Sequence, residues 1–394
     1  VLAIVYGAYI HHPLSLIVGF NRVNQGIEEF PYSCAPIRHA QLEGCEHIWL
    51  DHKTKKLYAA CSTLESRIGW SPGGNKYNAS ARSGTDHISV LDIDQPGADG
   101  MYGMDQLDFV GSFGGEIDLH GFDAKEVNGR LRFWFINHRP PVNESTGDLL
   151  AAEEIGANST VEIFDLDEPT NTLHHVKTIF NEAIITPNSL AVDEDGIGFV
   201  ITNDHARKVG PFRLLENIWG TGSITYCQSD SGKCEIVGEK GFSFPNGIVR
   251  GHDGLFYVAH SSTGAVTVHS LSNGTFTKVG EIITHFPIDN LSVDAAGSIL
   301  VAAFPSPLRL GAAMESPRTI NSPAAVLSIT KREGNSVDTA EASVRGGYDI
   351  TKILEDGEGK VLPTTTIVVH DVESRRLILS GVTSPFIGIC HRTD

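Results

Sequence analysis

One short pattern recurs along the chain, and its recurrence restricts the fold more than any other feature. A polar residue opens an apolar run, a turn often carrying Asp and Gly follows, and a second apolar run closes the unit. Asn188-Ser-Leu-Ala-Val-Asp-Glu-Asp-Gly leads into Ile197-Gly-Phe-Val-Ile-Thr, and Asn246-Gly-Ile-Val-Arg-Gly-His-Asp-Gly into Leu255-Phe-Tyr-Val-Ala. Asn290-Leu-Ser-Val-Asp-Ala-Ala-Gly leads into Ile299-Leu-Val-Ala-Ala. Earlier copies are Glu46-His-Ile-Trp-Leu-Asp before Leu57-Tyr-Ala-Ala, and His120-Gly-Phe-Asp-Ala before Leu131-Arg-Phe-Trp-Phe. A weaker sixth copy runs from Thr366 to Leu377-Ile-Leu-Ser.

Further strand-like runs lie between the copies, at 87–93, 160–166, 223–226, 265–269 and 325–329. About four strands per unit, six times over, predicts an all-β chain folded as a six-bladed β-propeller. A sandwich or a barrel does not account for sixfold recurrence. The 41 Gly and 18 Pro suit many turns between short strands, and 41% hydrophobic residues supply a large core and exclude a disordered chain. Acidic residues outnumber basic ones, 48 to 30, for a net charge of −18. That balance disfavours nucleic acid or an anionic membrane surface as a partner.

Six cysteines point to an oxidising, secretory compartment. Cys227 and Cys234 flank a turn-rich stretch and can bridge a hairpin; Cys45 and Cys61 flank another strand–turn–strand unit; Cys34 and Cys390 remain near the two ends. Asn78, Asn143, Asn158 and Asn273 open glycosylation sequons, in keeping with secretion. A fifth, at Asn290, falls inside the repeat and is set aside. The N-terminal run from Val1 to Ile10 is apolar and too short to span a bilayer. It reads as the tail of a cleaved signal, a truncated anchor or an interfacial segment with weak membrane contact.

In a propeller, equivalent positions of the innermost strands face one channel at equal depth. Glu46, His120, Asn188, Asn246 and Asn290 hold the equivalent place in five copies, and Asp289 adjoins the last. Two carboxylates and three amide oxygens form the hard-oxygen set that Ca²⁺ prefers. Mg²⁺ favours a stricter octahedron, and Zn²⁺ calls for more His or Cys. The competing reading is that Asn at these places only caps turns.

Taken together, these segments resemble the paraoxonase/arylesterase family of calcium-dependent lactonases and, more distantly, the gluconolactonase and strictosidine synthase propellers. The matching motifs are Cys45-Glu46-His47, His120-Gly-Phe-Asp, Ile136-Asn-His138-Arg-Pro, Pro187-Asn188-Ser, Thr202-Asn-Asp-His205, Phe244-Pro-Asn246-Gly and Ile288-Asp289-Asn290-Leu-Ser-Val-Asp. The resemblance begins near residue 34. It implies an N-terminal apolar lead-in over 1–33 and a single propeller domain over 34–394, its ends joined by a Cys34–Cys390 disulfide. It implies that Glu46, Asn188, Asn246, Asp289 and Asn290 hold one catalytic calcium. His120 becomes the candidate general base, with His138 behind it as a second proton carrier and Asp289 as a rival base or nucleophile. Phe244, Phe304 and Trp70 are expected in the substrate pocket, and the stretch 66–86 is expected to form a mobile lid. The chain also departs from the family. His47 and Ser189 stand where relatives binding a second, structural calcium carry acidic residues, so that ion is expected to be absent or altered, with Asp204 at most a surviving neighbour. Phe304 stands where the family has a channel-facing His.

These residues suit hydrolysis. A carbonyl polarised by a cation, attacked by water that a neutral imidazole deprotonates, gives ester cleavage. No Gly-x-Ser-x-Gly elbow, His-Glu-x-x-His or phosphate-binding Gly-x-x-x-x-Gly-Lys-Ser/Thr motif competes with it. The expectation is a secreted calcium-dependent hydrolase of lactones, and secondarily aryl esters, with a small-molecule substrate. The alternative is a propeller braced by calcium that binds a ligand or partner without turning it over. A strictosidine synthase-type condensation is disfavoured by the carboxylates Glu46 and Asp289.

Overall fold

The computed structural model describes residues 22–332 and 347–394 apart from position 363, together with positions 16 and 19; the apolar run from Val1 to Ile10 lies outside the described residues. Short runs rich in β-branched and aromatic residues, separated by Gly- and Asp-bearing turns, form strands throughout. The longest α-helix among the described residues, Pro307–Glu315, has 9 residues. No described helix is long and apolar enough to cross a membrane.

Four sheets contain four strands each, and a fifth contains eight. Pro187–Val192, Gly198–Asn203, Gly222–Gln228 and Cys234–Phe242 pair antiparallel in sequence order. Two more sheets repeat that meander, from Pro245–Arg250 to Thr275–Ile283 and from Ile288–Val293 to Tyr348–Asp356. The sheet that completes the chain joins Ile367–Asp371, Arg376–Ser380 and Ile387–Arg392 to the early strand Tyr32–Ile37. Cys34 sits opposite Cys390 in that last pairing, and a disulfide locks the two. The other bridges are Cys45–Cys61 and Cys227–Cys234, so all six cysteines are paired as the spacing predicts.

The eight-stranded sheet is where the structure differs from an even repeat. Its two halves, His47–Asp51 to Asp105–Val110 and Leu119–Val127 to Thr172–Ile179, are each antiparallel meanders. They join because Thr172–His174 pairs parallel with Asp108–Val110. Outer edges normally stay apart; here the free donors and acceptors of one edge satisfy those of the other.

The first strand of each meander is buried along most of its length: all six residues of Pro187–Val192 are covered. The last strand is not. Cys234–Phe242 leaves six of its nine residues exposed. The first strands meet one another in turn, from His47–Asp51 through Leu119–Val127, Pro187–Val192, Pro245–Arg250 and Ile288–Val293 to Ile367–Asp371, which returns to His47–Asp51. Apolar clusters fill the gaps between neighbouring sheets. Ile48 and Leu57 pack with Ile367, Val369 and Ile378 across the chain closure, and Leu300 and Val326 pack with Val368 and Leu377.

Candidate functional site

The sequence repeat becomes a geometric one at the start of each first strand. His120, Asn188, Asn246 and Asp289 are each the second residue of their strand, and Glu46 and Thr366 immediately precede theirs; Asp289 therefore holds the place expected of Asn290, which lies one residue further on because the register shift spans both. In four of these strands the pairing register shifts at the same place, spanning His120–Gly121, Asn188–Ser189, Asn246–Gly247 and Asp289–Asn290. Such an irregularity frees a residue from the ladder and re-aims its side chain. Two glycines make the close approach of neighbours possible. A Cβ on Gly121 would lie 2.5 Å from the Asn188 carbonyl oxygen, and one on Gly247 would lie 2.6 Å from Asn290 Cα.

Hydrogen bonds link the register-matched residues. The Asn290 Nδ2–H donates to Glu46 Oε1 at 3.1 Å, and the Asn290 backbone N–H donates to the Thr366 carbonyl at 3.0 Å. The Thr366 hydroxyl donates to Glu46 Oε2 at 2.9 Å, while His120 Nε2 stands 4.0 Å from Glu46 Oε1. The Thr202 hydroxyl donates to the Asn246 carbonyl at 2.6 Å and also contacts Ser189. Glu46, Asn188, Asn246, Asp289 and Asn290 are all buried.

Apart from those of Glu46, side-chain oxygens in this set go unused. Asn188 Oδ1, Asn246 Oδ1, Asp289 Oδ1 and Asn290 Oδ1 have no hydrogen-bond partner, and neither does Asp204 Oδ2 nearby. Buried acceptors without donors cost free energy, so five of them in one molecule need an explanation. The carboxylates are perturbed in the same sense. Burial raises the Glu46 pKa to about 7, against the opposing pull of Arg67 and the Thr366 and Asn290 hydrogen bonds. Burial and then the Glu46 charge push Asp289 well above the ordinary carboxylate range, eased by a hydrogen bond with Asn246. Two like charges crowded in a dry place favour a cation between them.

The two histidines share this chamber. The His120 and His138 rings lie 5.0 Å apart, and Nε2 of each lacks a partner. His138 Nδ1 meets the Ser159 hydroxyl at 2.9 Å, which fixes the ring. Burial, with His138, Arg67 and His47 adding to it, holds His120 well below the ordinary imidazole range, and burial lowers His138 to about 4. Both are neutral bases at pH 7.

The stretch 66–86 has structure of its own: the helix Leu64–Gly69 and a ladder of Trp70–Ser71 with Lys76–Tyr77. It docks over the chamber. The Trp70 Nε1–H donates to the His138 carbonyl at 2.9 Å, and the Arg213 Nη2–H to the Pro72 carbonyl at 3.1 Å. A Cβ on Gly73 would stand 3.4 Å from Asp204 Oδ2, 3.5 Å from Asn188 Nδ2 and 3.7 Å from His120 Nε2. Phe244 sits 5.1 Å, ring to ring, from His205, which is held by Asp204 at 2.7 Å. Phe304 is buried beyond the strand Ile299–Ala303, and its carbonyl accepts from Arg22. Thr366, Thr202 and Arg67 join the chamber without having been singled out by their sequence. Thr366 opens the weak sixth copy, so the register itself was its signal.

The arylesterase family model matches residues 143–347, more than half of the chain. The chain belongs to the arylesterase family. This arylesterase-family chain is 31% identical over 175 residues to mouse serum paraoxonase/arylesterase 1, covering 42% of this chain and 47% of that protein. It is 35% identical over 207 residues to rabbit serum paraoxonase/lactonase 3, covering 50% and 54%. It therefore spans about half the length of the curated relatives it matches. At the level of fold, it superposes on the PQQ domain of pyranose dehydrogenase from Coprinopsis cinerea with a TM-score of 0.52, at 12% identity, over 92% of this chain and 95% of that one.

Proposed function

We propose that this protein is a calcium-dependent hydrolase acting mainly on lactones and secondarily on aryl esters, built on a single six-bladed propeller over 34–394. The observation that carries the reading is the set of partnerless oxygens of Asn188, Asn246, Asp289 and Asn290 at the starts of three first strands, with Glu46 bonded to Asn290 at the start of a fourth. All are hard donors, and two carboxylates among them fit a divalent calcium ion. When bound, the ion supplies a Lewis acid for the substrate carbonyl. Glu46, Asn188, Asn246, Asp289 and Asn290 hold it.

His120 takes the proton of the attacking water at Nε2, which has no other partner and is neutral at pH 7. His138, oriented by Ser159, receives it or stabilises the charged ring next door. Asp289 is the rival base. Trp70 and Phe244 wall the substrate pocket, Phe304 lies further out, and the segment carrying Trp70 excludes water. One ion is proposed, not two: His47 and Ser189 offer no carboxylate, and Asp204, with Oδ1 engaged by His205, leaves only Oδ2 free.

The paired cysteines support a secretory-pathway location. Asn78, Asn143 and Asn273 are exposed and suit glycan attachment, while Asn158 is half-buried in a strand. The small-molecule substrate follows from the hydrolase reading. The test is a panel of lactones and phenyl acetate assayed with and without EGTA. Activity lost on chelation and restored by Ca²⁺ supports the reading. Chelation that only lowers the melting temperature, with no turnover of any substrate, favours a calcium-braced binding propeller instead.

A further inference from the structure

Arg67 lies in the helix Leu64–Gly69 and is 5% exposed. Its Nε–H donates to the Gly44 carbonyl at 3.1 Å and its Nη1–H to the Leu119 carbonyl. Nη2 has no partner. Among the described residues no carboxylate forms a close ion pair with this guanidinium, and Glu46 and Asp118 balance its charge only at longer range. The acidic groups in its neighbourhood are committed elsewhere. Both oxygens of Asp118 accept from Arg82, at 2.8 and 2.9 Å. Asp86 accepts from the Leu119 backbone N–H at 2.9 Å and from the hydroxyls of Ser62 and Ser83. Glu46 is taken by Asn290 and Thr366.

Arg67 also lines a small cavity of about 10 Å³ together with Trp70, His120, His138 and the two carboxylates Asp86 and Asp118, whose oxygens are already bonded as described. That volume suits one oxygen-sized group rather than a whole molecule. A fixed, charged, buried donor therefore faces the same small space as the two histidines.

We propose that Arg67 is the carboxylate-binding residue of this site, receiving one oxygen of the acid that ester or lactone cleavage releases. Guanidinium matches carboxylate in charge and in planar donor geometry, and the two backbone carbonyls that grip Nε and Nη1 leave Nη2 to do it. The ligand class is a small monocarboxylate. The inference rests on the hydrolase reading for the origin of that acid, but binding can be measured without turnover.

The test is calorimetric titration of the full chain, in calcium-containing buffer, with butyrate and with its neutral isostere butyramide. The expected result is butyrate binding at least about 10-fold tighter than butyramide, a preference abolished in Arg67→Met. Should Arg67→Met not fold, Arg67→Lys keeps the charge, loses the planar fork and is expected to weaken butyrate binding at an unchanged melting temperature. Equal binding of the two ligands by the native protein overturns the proposal, as does undiminished butyrate preference in either variant. Phenyl acetate and a neutral lactone are assayed in parallel. Arg67-dependent binding without hydrolysis sinks the hydrolase reading alone; hydrolysis without Arg67-dependent binding sinks the carboxylate site alone.

Discussion

Asn290 Nδ2 donates to Glu46 Oε1 at 3.1 Å between residues 244 positions apart in the chain, and this bond ties the first repeat copy to the fifth. It consumes the amide nitrogen of Asn290 and turns its Oδ1, which has no partner, away from Glu46. The amide oxygen is thereby left free to act as a ligand donor.

Glu46→Gln keeps the shape of this contact and removes a negative charge. Calcium affinity is expected to fall by more than the 10- to 100-fold, roughly, that outer partners of a metal site command. Fluorescence or calorimetric Ca²⁺ titration checks this, and unchanged affinity would place the ion elsewhere.

His120→Gln tests the proton transfer separately from the metal. The side chain is not among the calcium ligands proposed above, so Ca²⁺ binding is expected to stay as it is, while kcat on a lactone falls on the order of 10²–10⁴-fold. A variant retaining full turnover would transfer the role of base to Asp289.

Gly121→Ala puts a methyl group 2.5 Å from the Asn188 carbonyl oxygen. The neighbouring strand must shift, at about 1–3 kcal/mol, and Asn188 shifts with it. Lower melting temperature together with weaker Ca²⁺ binding is the expected pair of outcomes, read by differential scanning fluorimetry at several calcium concentrations.

Asp371 gives the pH dependence. Burial raises its pKa, but hydrogen bonds from Lys55, Ser374 and Arg376 outweigh that and bring it down to about 2. A carboxyl depressed on folding stabilises the protein fully above its unfolded pKa, near 4, and loses that contribution as pH falls toward 2. Asp371→Asn is therefore expected to be less stable than the native protein at pH 7, with the gap narrowing below pH 4. Urea midpoints at pH 7, 4 and 2.5 measure it.

Removing the Cys34–Cys390 bridge by a Cys34→Ser, Cys390→Ser double change frees the ends of a loop spanning 356 positions. A loss of about 2–5 kcal/mol is expected, without loss of the hydrolytic activity proposed for the folded protein.

The recurring pattern in the sequence carried the strands, their meanders and, to within one residue at Asp289–Asn290, the register of the site. Apolar runs and Gly–Asp turns are local signals, and a local signal repeated puts the same residue at the same place in each unit. The cysteine pairs were legible for the same reason, since each short pair flanks a local hairpin. What the chain order could not state was any relation set by contact between units. The parallel joining of Thr172–His174 to Asp108–Val110 depends on two sheet edges meeting in space. The register shift at His120, Asn188, Asn246 and Asp289 depends on how closely neighbouring strands pack, which Gly121 and Gly247 permit but do not announce. Arg67 looked like any charged residue on a short helix until the fold buried it and left its Nη2 without a partner. Periodicity fixes which side chains share a depth; only packing decides which of their atoms are left without a partner, and chemistry follows from the second.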